Sequence, residues 1–216
     1  ARRRRDPSGL LRLTAPATFG RLHVAPVVAD FLAAYPAMRV EMMLVDRTVD
    51  LLEEGLDLAV RIGAPADSSL AYTPVGETPR VLCAAPDYLA RFGRPLAPAD
   101  LASHRCVRFT GVSGFPHWEF VVAGKPLRLS PPAVLAVNQI DAALDACRRG
   151  LGCGLFLGYQ AAADLKSGAL ERLLPAYEPS PRPVGLLYPP ARLLSPRIRA
   201  FIDFAAPKLR RRLADV

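Results

Sequence analysis

The segment Asp50-Leu-Leu-Glu-Glu-Gly-Leu-Asp-Leu-Ala-Val-Arg-Ile-Gly63 constrains the fold more than any other stretch of the chain. It reads as the end of a helix, a one-glycine stop and a short strand. Leu51 and Leu52 begin an apolar stripe, Glu53 and Glu54 face water, and Gly55 can take the left-handed backbone that ends a helix. Leu56, Leu58, Val60 and Ile62 then alternate with Asp57, Ala59 and Arg61, the period of a half-buried strand. A helix that hands over to a strand this quickly belongs to an α/β domain. In open α/β sheets ligands sit at the carboxyl ends of the strands. That rule places Arg61 and Gly63 at the mouth of a binding cleft.

A chain of 216 residues, 51% of them hydrophobic, can bury one large core or two smaller ones. No apolar run reaches the ~20 residues that span a bilayer, so no membrane partner is expected. The four arginines Arg2 to Arg5 have no apolar stretch behind them and are not a secretory signal. Of the formal charge of +8, +6 sits at the two ends, where Arg2–Arg5, Lys208 and Arg210–Arg212 outweigh Asp6 and Asp215. The body is close to neutral and is not a stand-alone DNA-binding surface. Arg2–Arg5 read either as a phosphate contact or as a solvated linker end. Cys83, Cys106, Cys147 and Cys153 lack metal-ligand spacing and read as buried, reduced thiols, which suits a cytoplasmic compartment.

Catalysis finds little support. His23, His104 and His117 have no adjacent nucleophile, and Gly111-Val-Ser113-Gly114-Phe115 fails the Gly-x-Ser-x-Gly pattern at its last position. Gly150-Leu-Gly-Cys-Gly154 follows a helix and precedes a strand, the reverse of a dinucleotide loop. It reads as a helix stop followed by close chain packing. No catalytic residue, cofactor or metal is expected.

The periodicity predicts strands over 11–15, 39–45, 56–62 and 70–76, the last confined to an edge by its prolines. Helices are expected over 21–35, stopped by Pro36, and over 47–54. Further along, 80–85 is extended, 87–92 helical, and 105–110, 118–122 and 134–137 are strands. A helix over 140–149, a strand over 153–157, a segment 183–188 and a helix over 196–212 complete the reading. No internal repeat is visible.

These segments, taken in order, resemble the effector-binding regulatory domain of LysR-type transcriptional regulators. The likeness is carried by Gly9-Leu-Leu-Arg-Leu-Thr-Ala-Pro16 with Phe19-Gly20, by Phe31-Leu-Ala-Ala-Tyr-Pro36 and by Asp57-Leu-Ala-Val-Arg-Ile-Gly63. It continues through Ala84 to Pro95, Asp100-Leu-Ala-Ser-His104, Gly150 to Gly154, Gly168-Ala-Leu170 and Ser195 to Phe201. The resemblance implies an α/β fold of two Rossmann-like lobes joined by two crossover strands, like a type 2 periplasmic binding protein. Lobe I would hold 9–82 and 183–212, lobe II 83–182, and 1–8 a linker remnant. The family's winged helix-turn-helix is not in this sequence, and the chain reads as a fragment cut just after it.

Candidate effector contacts follow from topology and resemblance together. On lobe I they are Pro16, Ala17, Thr18 and Phe19 after the first strand, Asp46, Arg47 and Thr48 after the second, and Arg61 and Gly63 after the third. Across the cleft stand Thr110, Gly111, Asn138, Gln139 and Phe156. Thr18 either meets ligand or caps a helix, Phe19 is wall or core, and Asp46 and Arg61 either serve ligand or pair with each other. Thr48 is a candidate cap of the helix over 47–54, and Asn138 is a helix cap or a contact. Donors outnumber acceptors, which favours a small organic or aromatic acid as effector. The resemblance further implies an antiparallel homodimer, with the helix over 21–35 against the partner's helix over 140–149. It also implies a tetramer in the full-length protein and DNA bound through the missing module. The alternatives are a periplasmic solute-binding protein of a transport system, or an enzyme of the same fold acting on a small acid.

Overall fold

The computed structural model describes residues 7–64, 69–111 and 117–214. Arg2–Arg5 and Ser113 to Phe115 lie outside these. In chain order the first elements are β1 (Gly9–Ala15), α1 (Ala17–Phe19), a π-helical turn (Gly20–Val24), α2 (Ala25–Ala34), β2 (Met38–Leu44), β3 (Leu58–Ile62), β4 (Ala71–Thr78) and β5 (Arg80–Ala84). They are followed by α3 (Pro86–Phe92), β6 (Cys106–Phe109), β7 (Trp118–Val122), β8 (Lys125–Leu129), β9 (Ala133–Val137), α4 (Ile140–Arg148) and β10 (Cys153–Leu157). The chain ends with α5 (Gly158–Ser167), β11 (Glu171–Leu173), β12 (Arg182–Tyr188) and α6 (Pro196–Ala214). Two compact units result, Ala1–Glu77 with Arg182–Val216, and Thr78–Pro181.

The first unit is built on a sheet of order β2-β1-β3-β12-β4. β1 runs parallel to β2 and β3, and β12 returns antiparallel to β3. β3 is buried on both faces at Leu58, Ala59 and Val60, so it is a central strand rather than the half-buried one its alternation suggests. Helical backbone begins at Ala17, earlier than the expected Arg21. Pro26 has no N–H, and the helix passes it through the π-helical turn, where the Ala25 N–H reaches the Gly20 carbonyl. Gly20 permits this entry, because a Cβ there would stand 2.4 Å from the Leu44 side chain. Phe31 meets Phe201 and Phe204 of α6 edge-on, with centroids 5.2 and 5.4 Å apart.

The expected helix over 47–54 is a single turn. The Asp50 carboxylate accepts the Leu52 and Glu53 N–H groups, so Asp50 and not Thr48 is its cap. Gly55, at φ +65°, closes the turn. The Leu56 N–H bonds to the Leu51 carbonyl at 2.8 Å and the Gly55 N–H to the Leu52 carbonyl at 3.2 Å, a Schellman closure whose flanking Leu51 and Leu56 are both buried. Leu52 points to water, 69% exposed, which leaves too short an apolar stripe to hold a longer helix.

The second unit has a sheet of order β11-β5-β10-β6-β9 and the hairpin β7-β8. β10 and β9 run parallel to β6, while β5 is antiparallel to β10 and β11. β5 feeds both faces: Val81, Cys83 and Ala85 join one core cluster, Leu82 and Ala84 the other. β8, α5 and β11 lie outside the sequence-based expectations. α5 starts where the Gln160 side chain accepts the Leu157 N–H at 2.8 Å and ends at Gly168 in the left-handed region. The glycine-rich stretch after α4 is close packing, as its order suggests: a Cβ on Gly152 would stand 2.3 Å from the Arg105 carbonyl oxygen.

Candidate functional site

Because β1, β2 and β3 are parallel, their carboxyl ends share one rim of the first unit. Pro16 to Thr18, Asp46, Arg61 and Gly63 therefore gather there. Pro16 occupies the cap position of α1 without a side-chain cap bond. Asp46 supplies the anion instead: its Oδ1 accepts the Ala17 N–H at 3.0 Å. One carboxylate of the rim is thereby committed to the helix start. Thr18 is half-buried and caps nothing. Arg61 is half-buried, and among the described residues it forms no ion pair with Asp46 or any other carboxylate. Gly63 sits at φ +108° with its N–H on the Pro183 carbonyl at 2.8 Å.

Three of the expected contacts are buried, paired or exposed rather than free to line the rim. Phe19 is fully buried and stacks toward His23 at 4.9 Å, so it is core and not a wall. Arg47 is exposed and holds Glu54 through both guanidinium nitrogens, at 2.6 and 3.0 Å. Thr48 is exposed beside it.

Tyr72 is a rim residue that sequence reasoning missed. Gly185 on β12 pairs with Arg61 on β3, and the Tyr72 ring lies over Gly185, within 2.1 Å of where a Cβ would be. Tyr72 also packs with Ala59 and Leu187. Period-two geometry then puts it on the same sheet face as Arg61. Its hydroxyl is buried without a hydrogen-bond partner among the described residues, and burial pushes its pKa up. A buried hydroxyl with no partner costs about 1–3 kcal/mol, so a ligand acceptor there would recover that loss. The available signal was Gly185, a small residue inside an apolar strand.

In the second unit, β6, β9 and β10 are parallel, and their carboxyl ends form another rim. Thr110 is exposed and donates its N–H to the Val137 carbonyl at 2.8 Å. Gly111 lies so close to Asn138 that a Cβ would stand 2.9 Å from its carbonyl oxygen. Asn138 and Gln139 are exposed. Gln139, not Asn138, is the cap residue of α4, and among the described residues it makes no side-chain cap bond. The first turn of α4 thus presents backbone N–H groups and the positive end of the helix dipole. Phe156 is 3% exposed inside a core cluster and belongs to the interior.

All four cysteines are free and buried. Burial pushes the Cys83, Cys106 and Cys153 thiols up to about 12 and Cys147 higher still. At neutral pH they remain protonated, small and unreactive.

Residues 4–210 match the model of the LysR substrate binding domain. The chain is similar to the uncharacterized HTH-type transcriptional regulator YhjC of Escherichia coli strain K12, 34% identical over 201 residues, 92% of this chain and 67% of that protein. It is likewise similar to the HTH-type transcriptional regulator PtxR of Pseudomonas aeruginosa, 34% identical over 198 residues, 92% of this chain and 64% of the relative. Its fold superposes on the CrgA regulatory domain of Neisseria meningitidis with a TM-score of 0.81 and 26% identity, covering 94% of this chain and 100% of that one. The two mixed sheets are those of the type 2 periplasmic-binding-protein fold found in such regulatory domains. This chain spans 60–67% of the length of the first curated relatives it matches. With the family model covering nearly every residue, the chain belongs to the LysR family through its substrate-binding, regulatory domain, a domain that senses and does not catalyse.

Proposed function

We propose that this domain binds a small organic or aromatic acid at the strand-end rims of lobes I and II, and so controls a LysR-type transcriptional regulator in the cytoplasm. The observation that carries this reading is Arg61, half-buried at a strand end with no carboxylate partner among the described residues. Thr18, the Tyr72 hydroxyl, Gly63 and the backbone of Pro16 and Ala17 accompany it on one rim. Thr110, Gly111, Asn138, Gln139 and the uncapped start of α4 serve on the other. Phe19 and Phe156 support these rims from the core. The effector acts by binding one conformation of the domain better than another. An antiparallel homodimer, with α2 and β2 against the partner's α4, carries that change. It passes through a tetramer of the longer protein to amino-terminal modules on DNA. The names of the relatives favour a regulator over a solute-binding transport component.

A thermal-shift screen of organic acids identifies the effector, because a ligand of the native state raises its stability. Calorimetric titration then tests the site. Arg61→Ala weakens binding by about ten-fold or more, the loss of one charged hydrogen bond, and Thr18→Ala by less. Both variants keep the parental melting temperature. Unchanged affinity in both removes this rim from the site. A strictly monomeric chain at high concentration removes the dimer.

A further inference from the structure

We infer that Arg108 is the anion anchor of the second unit, holding the carboxylate of a small acid at the carboxyl end of β6. The inference rests on the reading above, that the rims take an acid, and it names a charged second-unit residue which that reading lacks. β6 is an interior strand, flanked by β10 and β9, where an arginine is costly to bury. Val107 and Phe109 point into the core cluster shared with Ile140, Ala143 and Cys147 of α4, while Cys106 joins the opposite cluster with Trp118 and Phe120 of the hairpin. Alternation puts Arg108 on the Cys106 face of the strand. It therefore faces away from α4 and from the dimer surface proposed for that helix.

Arg80, Arg108 and Arg197 each bury Nε without a hydrogen-bond partner among the described residues. Arg80 still holds Glu119 through Nη1 at 2.6 Å, and Arg197 faces Asp57 at 3.7 Å. Arg108 differs from both. It is half-buried and has no carboxylate partner among the described residues. Glu119, the acid of the neighbouring hairpin, is already taken by Arg80 and by Arg128, the latter at 3.2 Å. A partly desolvated guanidinium without an anion is the unfavourable half of a broken ion pair. A carboxylate completes it, because the planar fork offers two parallel N–H donors to its two oxygens.

Thr110 extends the same ladder, its N–H on the Val137 carbonyl at 2.8 Å. Two residues on from Arg108, its exposed hydroxyl stands on the same side of the strand. Guanidinium and hydroxyl donors thus share one face at one strand end. Arg61, at the end of β3, is likewise half-buried and without a carboxylate among the described residues, so Arg108 is its counterpart in the second unit.

The probes are benzoate and its neutral analogue benzamide, titrated into the whole chain while the Arg108 Nε–H resonance and the Thr110 and Gly111 amides are followed. Benzoate is expected to move these signals and benzamide to leave them in place. Arg108→Met weakens the Thr110 and Gly111 response about ten-fold. Arg108→Lys, which keeps the charge but not the fork, weakens it about three-fold. Without acid, Arg108→Met melts no lower than the parent, since it removes an unpaired charge. A lower melting temperature would give Arg108 a structural role and overturn the proposal. An Arg108 signal that ignores benzoate, or that benzamide moves as far, overturns it too. The two rims fail separately. Affinity that falls with Arg108→Met and not with Arg61→Ala supports this inference and removes the first rim, and the reverse overturns this inference alone.

Discussion

Among the described residues each unit buries one aspartate, and the two are held in different ways. In the first unit, Asp57 Oδ2 accepts the Arg12 N–H at 3.0 Å, while Oδ1 faces Arg192 at 3.3 Å and Arg197 at 3.7 Å. In the second, Asp164 grips a single partner, Arg148, through both oxygens at 2.7 and 2.9 Å. Asp57 reaches across 45 residues to Arg12 and ties in the segment ahead of and within α6. Asp164 spans 16 residues, between neighbouring helices. The first unit is assembled from two separated pieces of chain, so its closure depends on a tie that only tertiary contact can make. The second unit is one continuous segment and needs only a local clamp.

Removing each carboxylate tests that contrast most strongly. Asp57→Ala leaves a backbone donor and two partly exposed guanidinium groups without their anion, and is expected to cost about 3 kcal/mol. Asp164→Ala is expected to cost about 1–2 kcal/mol, since Arg148 can turn to water. Urea unfolding of both variants gives the comparison, and equal losses would remove the distinction between long-range tie and local clamp.

The turns give a smaller contrast. Gly55 stands at φ +65° with open space around its α-carbon, whereas Ala123, in the β7-β8 hairpin before Gly124, stands at φ +50°. Gly55→Ala should cost about 1 kcal/mol for the left-handed backbone alone. Ala123→Gly should gain about half of that, because relief of the left-handed strain is partly offset by the greater freedom of the unfolded chain. Thermal melts with opposite shifts would show both.

The weakest effect separates the buried titratable groups. His23, in the first unit, has its pKa pushed down by burial and secondarily by Arg212. The unfolded chain therefore holds the proton more tightly. His23 opposes folding as pH falls below the unfolded value of about 6.5, and costs nothing well above it. His23→Gln should flatten the loss of melting temperature between pH 7 and pH 5. The second unit's thiols, with pKa values of about 12 or above, contribute no slope in that window. A slope unchanged in the variant would place the acid sensitivity elsewhere.

Much of the fold was legible because strand and helix periods are local properties. β10 and β7 match their expected bounds, and Gly55 stops its turn as a left-handed residue should. The failures have local causes too. Asp50 and Gly55 bracket too few residues for the helix expected over 47–54, and the exposed Leu52 denies it a packing face. α5 escaped because Tyr159 and Ala161 are buried without an extended apolar stripe, while Asp164 is buried through an arginine.

Of the candidate site, strand-end topology and resemblance together put Arg61 and Thr18 among the candidates. They could not tell that Phe19 and Phe156 turn inward, that Asp46 is taken by the Ala17 N–H, or that Tyr72 covers Gly185. Side-chain direction at a strand end depends on which neighbour fills the adjacent space, and those neighbours come from distant parts of the chain.

The amino-acid order alone determined that this is an α/β chain of the LysR regulatory type, since alternation, helix stops and motif order are written within short windows. Only the tertiary structure decided that Asp57 would be interior beside two arginines and that four thiols would sit in dry cores. Burial and charge convergence are sums over residues far apart in sequence, and no local window contains them.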